Sequence, residues 1–169
     1  MRQMRQERLE AVKALKEEVI FINRVAKVVK GGRRFSFSAL VVVGDEKGSM
    51  GLGFGKANEV AASIKKGTEV ARKNLKEFSL DGNTFSHEVM GSFGKSKVLI
   101  KPAKPGTGII AGGTVRLIME ACGVRDVLTK CYGSRTPINI AHAVLNGLER
   151  IKELEDRVKL RKGIRDEPA

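Results

Sequence analysis

The segment PGTGIIAGGTVR, Pro105 to Arg116, holds Gly106, Gly108 and Ala111 at the G-x-G-x-x-A spacing that lets a backbone turn approach a pyrophosphate. The chemistry would be dinucleotide binding, which needs a buried strand ending just before the first glycine and an acid about 20 residues on, closing the next strand. Asp126 stands at the right distance, but it precedes the next apolar run instead of ending it, and Pro102 and Pro105 separate strand from glycines. A small-molecule kinase loop fits no better, because no serine pair, acid or metal set accompanies the glycines. The spacing therefore predicts a tight turn through Gly106, Thr107, Gly108, Gly112 and Gly113 that feeds a helix N-terminus, with Arg116 one turn in. Such a surface suits RNA phosphate or a neighbouring protein.

A second set, Gly51, Gly53 and Gly55 followed by Lys56, imitates a phosphate loop without being one. Met50 stands where the first Walker glycine belongs, and Ala57 where Ser or Thr must bind magnesium. Alternate glycines in a strand mark a close approach by another backbone. RNA is the favoured visitor here, and helix packing is the alternative.

The densest chemistry is cationic. Arg24, Lys27, Lys30, Arg33 and Arg34 surround the pair Gly31 and Gly32, and no acid occurs between Val19 and Gly44. A hairpin tip of this composition enters a groove, grips phosphates and lets main-chain N–H groups reach them. Its bland counterpart is a solvated, charge-protected edge. Phe35 and Phe37 within RRFSF read as core residues, since they continue into Ala39, Val41 and Val43 at period two. His87 and His142 have no metal spacing and no nucleophile partner. Cys122 and Cys131, without C-x-x-C or a histidine at ligand spacing, read as reduced cytosolic thiols, so no metal and no cofactor are expected.

The 169 residues carry 32 Lys and Arg against 19 Asp and Glu, a net +13. Like charges confined to a compact body repel, so such an excess is retained where a polyanion neutralises it. Nucleic acid leads. A membrane is disfavoured because no apolar run approaches the roughly 20 residues of a span. The mixed charges of MRQMRQERLEAVKALKEEV lack the apolar centre of a targeting peptide.

The elements that must position these groups form an α+β chain. Residues 1–18 are a helix-prone extension. Residues 19–83, with 12 cations and 6 anions, read β-β-β-α, with a hairpin at Lys30 to Arg33, a turn at Asp45 to Gly48, and a helix whose stripe is Val60, Ile64, Thr68, Ala71, Leu75 and Phe78. Residues 84–151, with 9 cations and 4 anions, read β-β-α-β-α. Their first helix puts Val115, Ile118, Met119 and Cys122 on one face and stops at Gly123. Their second opens at Thr136 and Pro137 and buries Ile138, Ala141, Leu145, Leu148 and Ile151. Residues 152–169 form a charged, helix-prone tail.

Three stretches in order, VKGGRRFSFSALVVVGDEKGSMGLGFGKA, KPGTGIIAGGTVR and GSRTPIN, make the chain resemble the S-five family of bacterial small-subunit ribosomal proteins from about Val19 to Ile151. One departure is Thr136, where the family more often has Asn before Pro. The resemblance implies a first domain similar to double-stranded-RNA-binding modules and a second with a four-stranded sheet and two helices on one face. It implies a non-enzymatic, cytoplasmic constituent of the small subunit that binds ribosomal RNA. Its place would be near the messenger entrance and its RNA, beside ribosomal proteins S-three and S-four and touching S-eight, with influence on decoding accuracy. The loop Lys27 to Arg33 would reach RNA near the subunit neck, and the glycine turn with Arg116 would face S-four. Two other classes stay open from the residues: a double-stranded-RNA-binding regulator acting off the ribosome, and a nucleotide-binding enzyme using residues 106–113.

Overall fold

The computed structural model describes residues 15–161. Strands β1 (Lys16–Val29), β2 (Gly32–Gly44) and β3 (Ser49–Ala57), helix α1 (Val60–Lys73) and the two-residue strand β4 (Lys76–Glu77) come first. Then follow β5 (Val89–Phe93), β6 (Ser96–Pro102), β7 (Ile109–Ile110), α2 (Gly113–Cys122), β8 (Val127–Gly133) and α3 (Pro137–Arg161). The described residues form two four-stranded sheets, β1-β2-β3-β4 and β5-β6-β8-β7. The described residues divide into two compact units, one built on those up to Glu77 with Leu117–Gly123, the other on Phe78–Arg116 and those from Val124 to Arg161.

In the first unit every strand pair is antiparallel. The hairpin expected at the paired glycines closes with Val29 opposite Gly32, and Gly32 alone of the two takes a positive φ, 136°. The turn at Asp45 has a local cause: the Asp45 carboxylate accepts the N–H groups of Lys47 and Ser49, both at 2.8 Å. Ala39, Val41 and Val43 pack with Ala71 and Ile64 under α1. Within this unit the last turn of α2 is held by the N–H of Glu46 on the Ala121 carbonyl and of Gly48 on that of Cys122. Burial lifts the Cys122 thiol to about 12, with the Asp45 charge adding to the shift.

Of the expected stripe of α1, Thr68 and Ala71 are buried, Val60 and Ile64 are half-buried, and Leu75 and Phe78 lie beyond the helix end. The residues the helix buries are Ser63, Gly67, Thr68 and Ala71. Small side chains are selected because β3 presents bare backbone: a Cβ at Gly55, Gly53 or Gly51 would collide with the carbonyl oxygens of Ser63, Gly67 and Ala71 in turn. Two residues of strand advance about 6.7 Å and four of helix about 6 Å, so alternate glycines stay in step with every fourth helical residue. The side chain of Asn74, just past the helix, reaches back to the Leu52 carbonyl at 3.3 Å.

The second unit repeats the device. A Cβ at Gly91 in β5 would strike the backbone of Ala143 and Gly147 in α3. In α3 the expected Ala141, Leu148 and Ile151 are buried, together with Ile140, Ala143, Val144 and Gly147, while Ile138 and Leu145 stay half-buried. The outward carbonyls of edge strand β5 are covered by α3, through Arg150 to Met90 and Asn146 to Ser92, both 2.9 Å. α2 buries Val115, Ile118, Met119 and Cys122 as the pattern predicts, and Gly123 ends it with φ 90°.

Replacing Gly53 by Ala should destabilise the fold by about 1–3 kcal/mol or more, as overpacking against backbone does. Gly31→Ala, where an added Cβ has no heavy atom within 4 Å, should leave the urea midpoint nearly unchanged.

Candidate nucleic-acid interface

β3 pairs with β2 only between Phe37–Ala57 and Gly44–Met50. β1 and β2 continue past that point, so Val25–Val29 and Gly32–Ser36 pair with each other alone and extend about 17 Å beyond the third strand. A two-stranded ribbon of this length is marginal in water by itself. Lys27, Lys30, Arg33 and Arg34 lie on it or its turn, Arg24 stands at its base opposite Phe37, and all five are exposed.

Register assigns the faces, because directly paired residues project to the same side. Lys27 stands opposite Arg34 on one side. Val28 opposite Arg33 and Arg24 opposite Phe37 define the other, and Lys30 occupies the turn. The arm is therefore cationic on both faces. Lys27 and Arg34, like charges in direct opposition, disfavour the free ribbon.

Phe35 is not a core residue. It is 48 % exposed, and the Arg24 guanidinium lies 4.7 Å from its ring centroid. The period-two pattern that joins it to Ala39, Val41 and Val43 holds, but the strand outruns the helix that would cover it.

The side of the sheet turned away from α1 carries two further aromatics, Phe21 and Phe54. Phe21 pairs with Leu40 and Leu40 with Phe54, a row across three strands in which Leu40 is buried while Phe21 and Phe54 are 44 % and 47 % exposed. The next row on that side is Asn23, Ser38 and Lys56, and further along the arm come Lys27 and Arg34. The structure thus joins Lys56 to the hairpin cations on one continuous face. Only a strand register reveals this, since 29 positions separate Lys27 from Lys56.

Gly51, Gly53 and Gly55 are not part of that face. Their bare sides are filled by the backbone of α1, so the helix-packing alternative holds and no phosphate can approach there.

The turn of the second unit is built differently from expectation. The strand β7 interrupts the predicted glycine turn and runs parallel to β8, completing the sheet of that unit. The G-x-G-x-x-A segment therefore contains a strand at its Ile109 and Ile110 and does not run as a turn straight into a helix, which excludes a dinucleotide turn. Gly106 and Gly108 have φ of 88° and 75°, and Thr107 bonds the Lys104 carbonyl through both its N–H, 3.2 Å, and its hydroxyl, 2.7 Å. Asp126, only 4 % exposed, accepts the Gly108 N–H at 2.9 Å. The acid that stands at the dinucleotide spacing is in fact the clasp of the turn. Arg116 donates to the Ile109 carbonyl at 2.8 Å and so fastens β7. Gly112 and Gly113, where an added Cβ meets open space, stand at the start of α2.

His142 stacks on Phe93, with centroids 4.8 Å apart, and His87 bonds Ser86 at 2.8 Å. Among the described residues no three His, Cys, Asp or Glu gather as a metal site, and no helix is long and apolar enough to cross a membrane.

Two comparisons match this picture. Residues 15–79 match the family described as ribosomal protein S5, N-terminal domain, and residues 91–161 the one described as ribosomal protein S5, C-terminal domain. The small ribosomal subunit protein uS5 of Syntrophobacter fumaroxidans is 56 % identical over 145 residues, covering 86 % of this chain and 87 % of that relative.

Removing the clasp gives a direct check on the turn. Asp126→Ala should speed exchange of the Gly108 amide about 10- to 100-fold, the worth of a hydrogen bond to a charged group. Asp126→Asn, which keeps an acceptor oxygen, should preserve most of the protection in an NMR exchange series.

Proposed function

The chain belongs to the ribosomal protein S5 family, and from that premise we propose that it works in the cytoplasm as a non-enzymatic structural constituent of the small ribosomal subunit that grips ribosomal RNA through the β1–β2 arm. The observation that carries this reading is the arm itself, a two-stranded ribbon with Lys27 facing Arg34 and no acid between Val19 and Gly44. Such a ribbon repels itself when free and is relieved by a polyanion. Phosphates on both sides suit it, because it bears cations on both faces.

Within that role, Lys27 and Arg34 with Lys56 hold phosphates on one side of the ribbon, and Arg24 and Arg33 hold them on the other. Lys30, Gly31 and Gly32 form the tip, where the absence of side chains lets main-chain N–H groups approach a phosphate. Phe21 and Phe54 offer apolar rings beside the cations of the first side. The turn at Gly106, Thr107 and Gly108, with Gly112, Gly113 and Arg116, takes a neighbouring protein or an RNA phosphate, and S-four is the neighbour assigned to it. Contact with S-eight, a place near the messenger entrance and an influence on decoding accuracy complete the reading. The likeness of the first domain to double-stranded-RNA-binding modules belongs to it too, supported by the β-β-β-α order of its main elements.

Binding to small-subunit RNA should weaken when Lys27, Lys30 and Arg33 are replaced by Ala. The slope of log affinity against log salt should fall by about 2 to 3. A filter-binding titration with an unchanged slope would remove the arm from the interface.

A further inference from the structure

The first sheet has an edge that nothing above uses. Strand order puts β1, β4, β5 and β7 at the edges of the two sheets. β4 and β7 are two residues long, and α3 covers the outward carbonyls of β5 through Arg150 and Asn146. Short strands and covered carbonyls are ordinary guards of a sheet edge. β1 has neither. It runs for 14 residues, and among the described residues β2 is the only strand that pairs with it.

Charge guards part of β1, and its charges are sorted by sign. Glu17 and Glu18 stand near its start, and Arg24 and Lys27 in its second half. Between them the window VIFIN, Val19 to Asn23, contains no charge, Gly or Pro, and its Val19, Phe21 and Ile22 are exposed. A β-prone apolar window on an open edge is where one strand adds to another. The bulge between Val19 and Phe21 interrupts the pairing with β2 and covers none of the outer edge.

The sorting of charge selects both the occupant and its direction. A second copy of β1 laid parallel would set acids on acids and cations on cations. Laid antiparallel, it brings Glu17 and Glu18 of each copy towards Arg24 and Lys27 of the other and matches the two apolar windows. Both copies use the same edge, so the contact closes at two chains. The net charge of +13 opposes association in general, but here the two arms leave at opposite ends. Their tips stand about 50 Å apart by the rise of a strand, far beyond the Debye length of about 8 Å at physiological salt.

We propose that the free chain forms a homodimer by antiparallel pairing of β1 with β1 of a second copy, through Val19–Asn23. The dimer is a property of the protein without any partner and stands whether or not the arm binds RNA.

Light scattering on the intact, RNA-free protein over a concentration series at physiological salt tests this, with hydrogen exchange read at both ends of the series. The mass should rise from the 18.4 kDa of one chain towards twice that value. The amides of Val19–Asn23 should exchange about tenfold more slowly at the concentrated end, while those of β4 stay unchanged. A charge placed in the window, as Ile22→Lys or Val19→Lys, should hold the chain at a single copy throughout. Both side chains are exposed, circular dichroism checks that each variant keeps its fold, and either one suffices. A constant mass would overturn the proposal, and so would association that leaves exchange in Val19–Asn23 unaltered or that a folded Lys variant retains. Protection of the window that is equal at every concentration would also overturn it, because the occupant would then come from the same chain.

Discussion

Two backbones touch directly in this protein where side chains would ordinarily separate them. Gly55, Gly53 and Gly51 of β3 meet Ser63, Gly67 and Ala71 of α1, and no Cβ fits between. A helix seated this close buries the alternate residues Ala39, Val41 and Val43 of the central strand with Ala71 and the half-buried Ile64. β3 then ends at Ala57, a few residues before the helix begins, because the chain must turn there to lay α1 back along the strand. β1 and β2 are under no such constraint. They run on as a ribbon, and the length by which they outrun β3 is the reach of the arm.

The energetics of that ribbon oppose the rest of the unit. The base of β2 is buried on both faces, from Ser38 to Gly44, whereas its other half is exposed. An exposed ribbon gains little from burial, and its cations repel across the register. What it offers is a preset geometry, in which charges that a polyanion would neutralise are already held in place by the sheet below. The Arg24 guanidinium over Phe35 is part of this presetting, because an aromatic face fixes a long side chain that would otherwise be free. The second unit uses the same tight seat at Gly91 and Gly147, but there the seat covers one side of its sheet and caps the outward carbonyls of β5.

Much of this organisation is legible in the residues. Charge without acid marks the arm, period two marks β2, and the paired glycines mark the hairpin, because each of these is a local signal. What fails is whatever depends on a distant partner. The stripes of α1 and α3 are right at Thr68, Ala71, Ala141, Leu148 and Ile151, but Ser63, Gly67, Ala143 and Gly147 are buried as well because glycines on the facing strands bring the backbones together. Phe35 looks inward by periodicity and is exposed because its strand outlasts its cover. β7 is invisible as two isoleucines among glycines, since a strand this short exists only by pairing with β8. Asp126 satisfies a cofactor spacing by coincidence, and its contact with Gly108 is a matter of tertiary folding.

The central claim is that the two-stranded arm is the part of the molecule that RNA completes. Hydrogen exchange read by mass spectrometry, with and without small-subunit RNA, addresses it most directly. The amides of Val25–Val29 and Gly32–Ser36 should exchange quickly in the free protein and slow by about tenfold or more on binding, a shift from the low-stability end of the structure toward its core, while those of β3 change little. A complex that forms with the exchange of the arm unaltered would contradict the account.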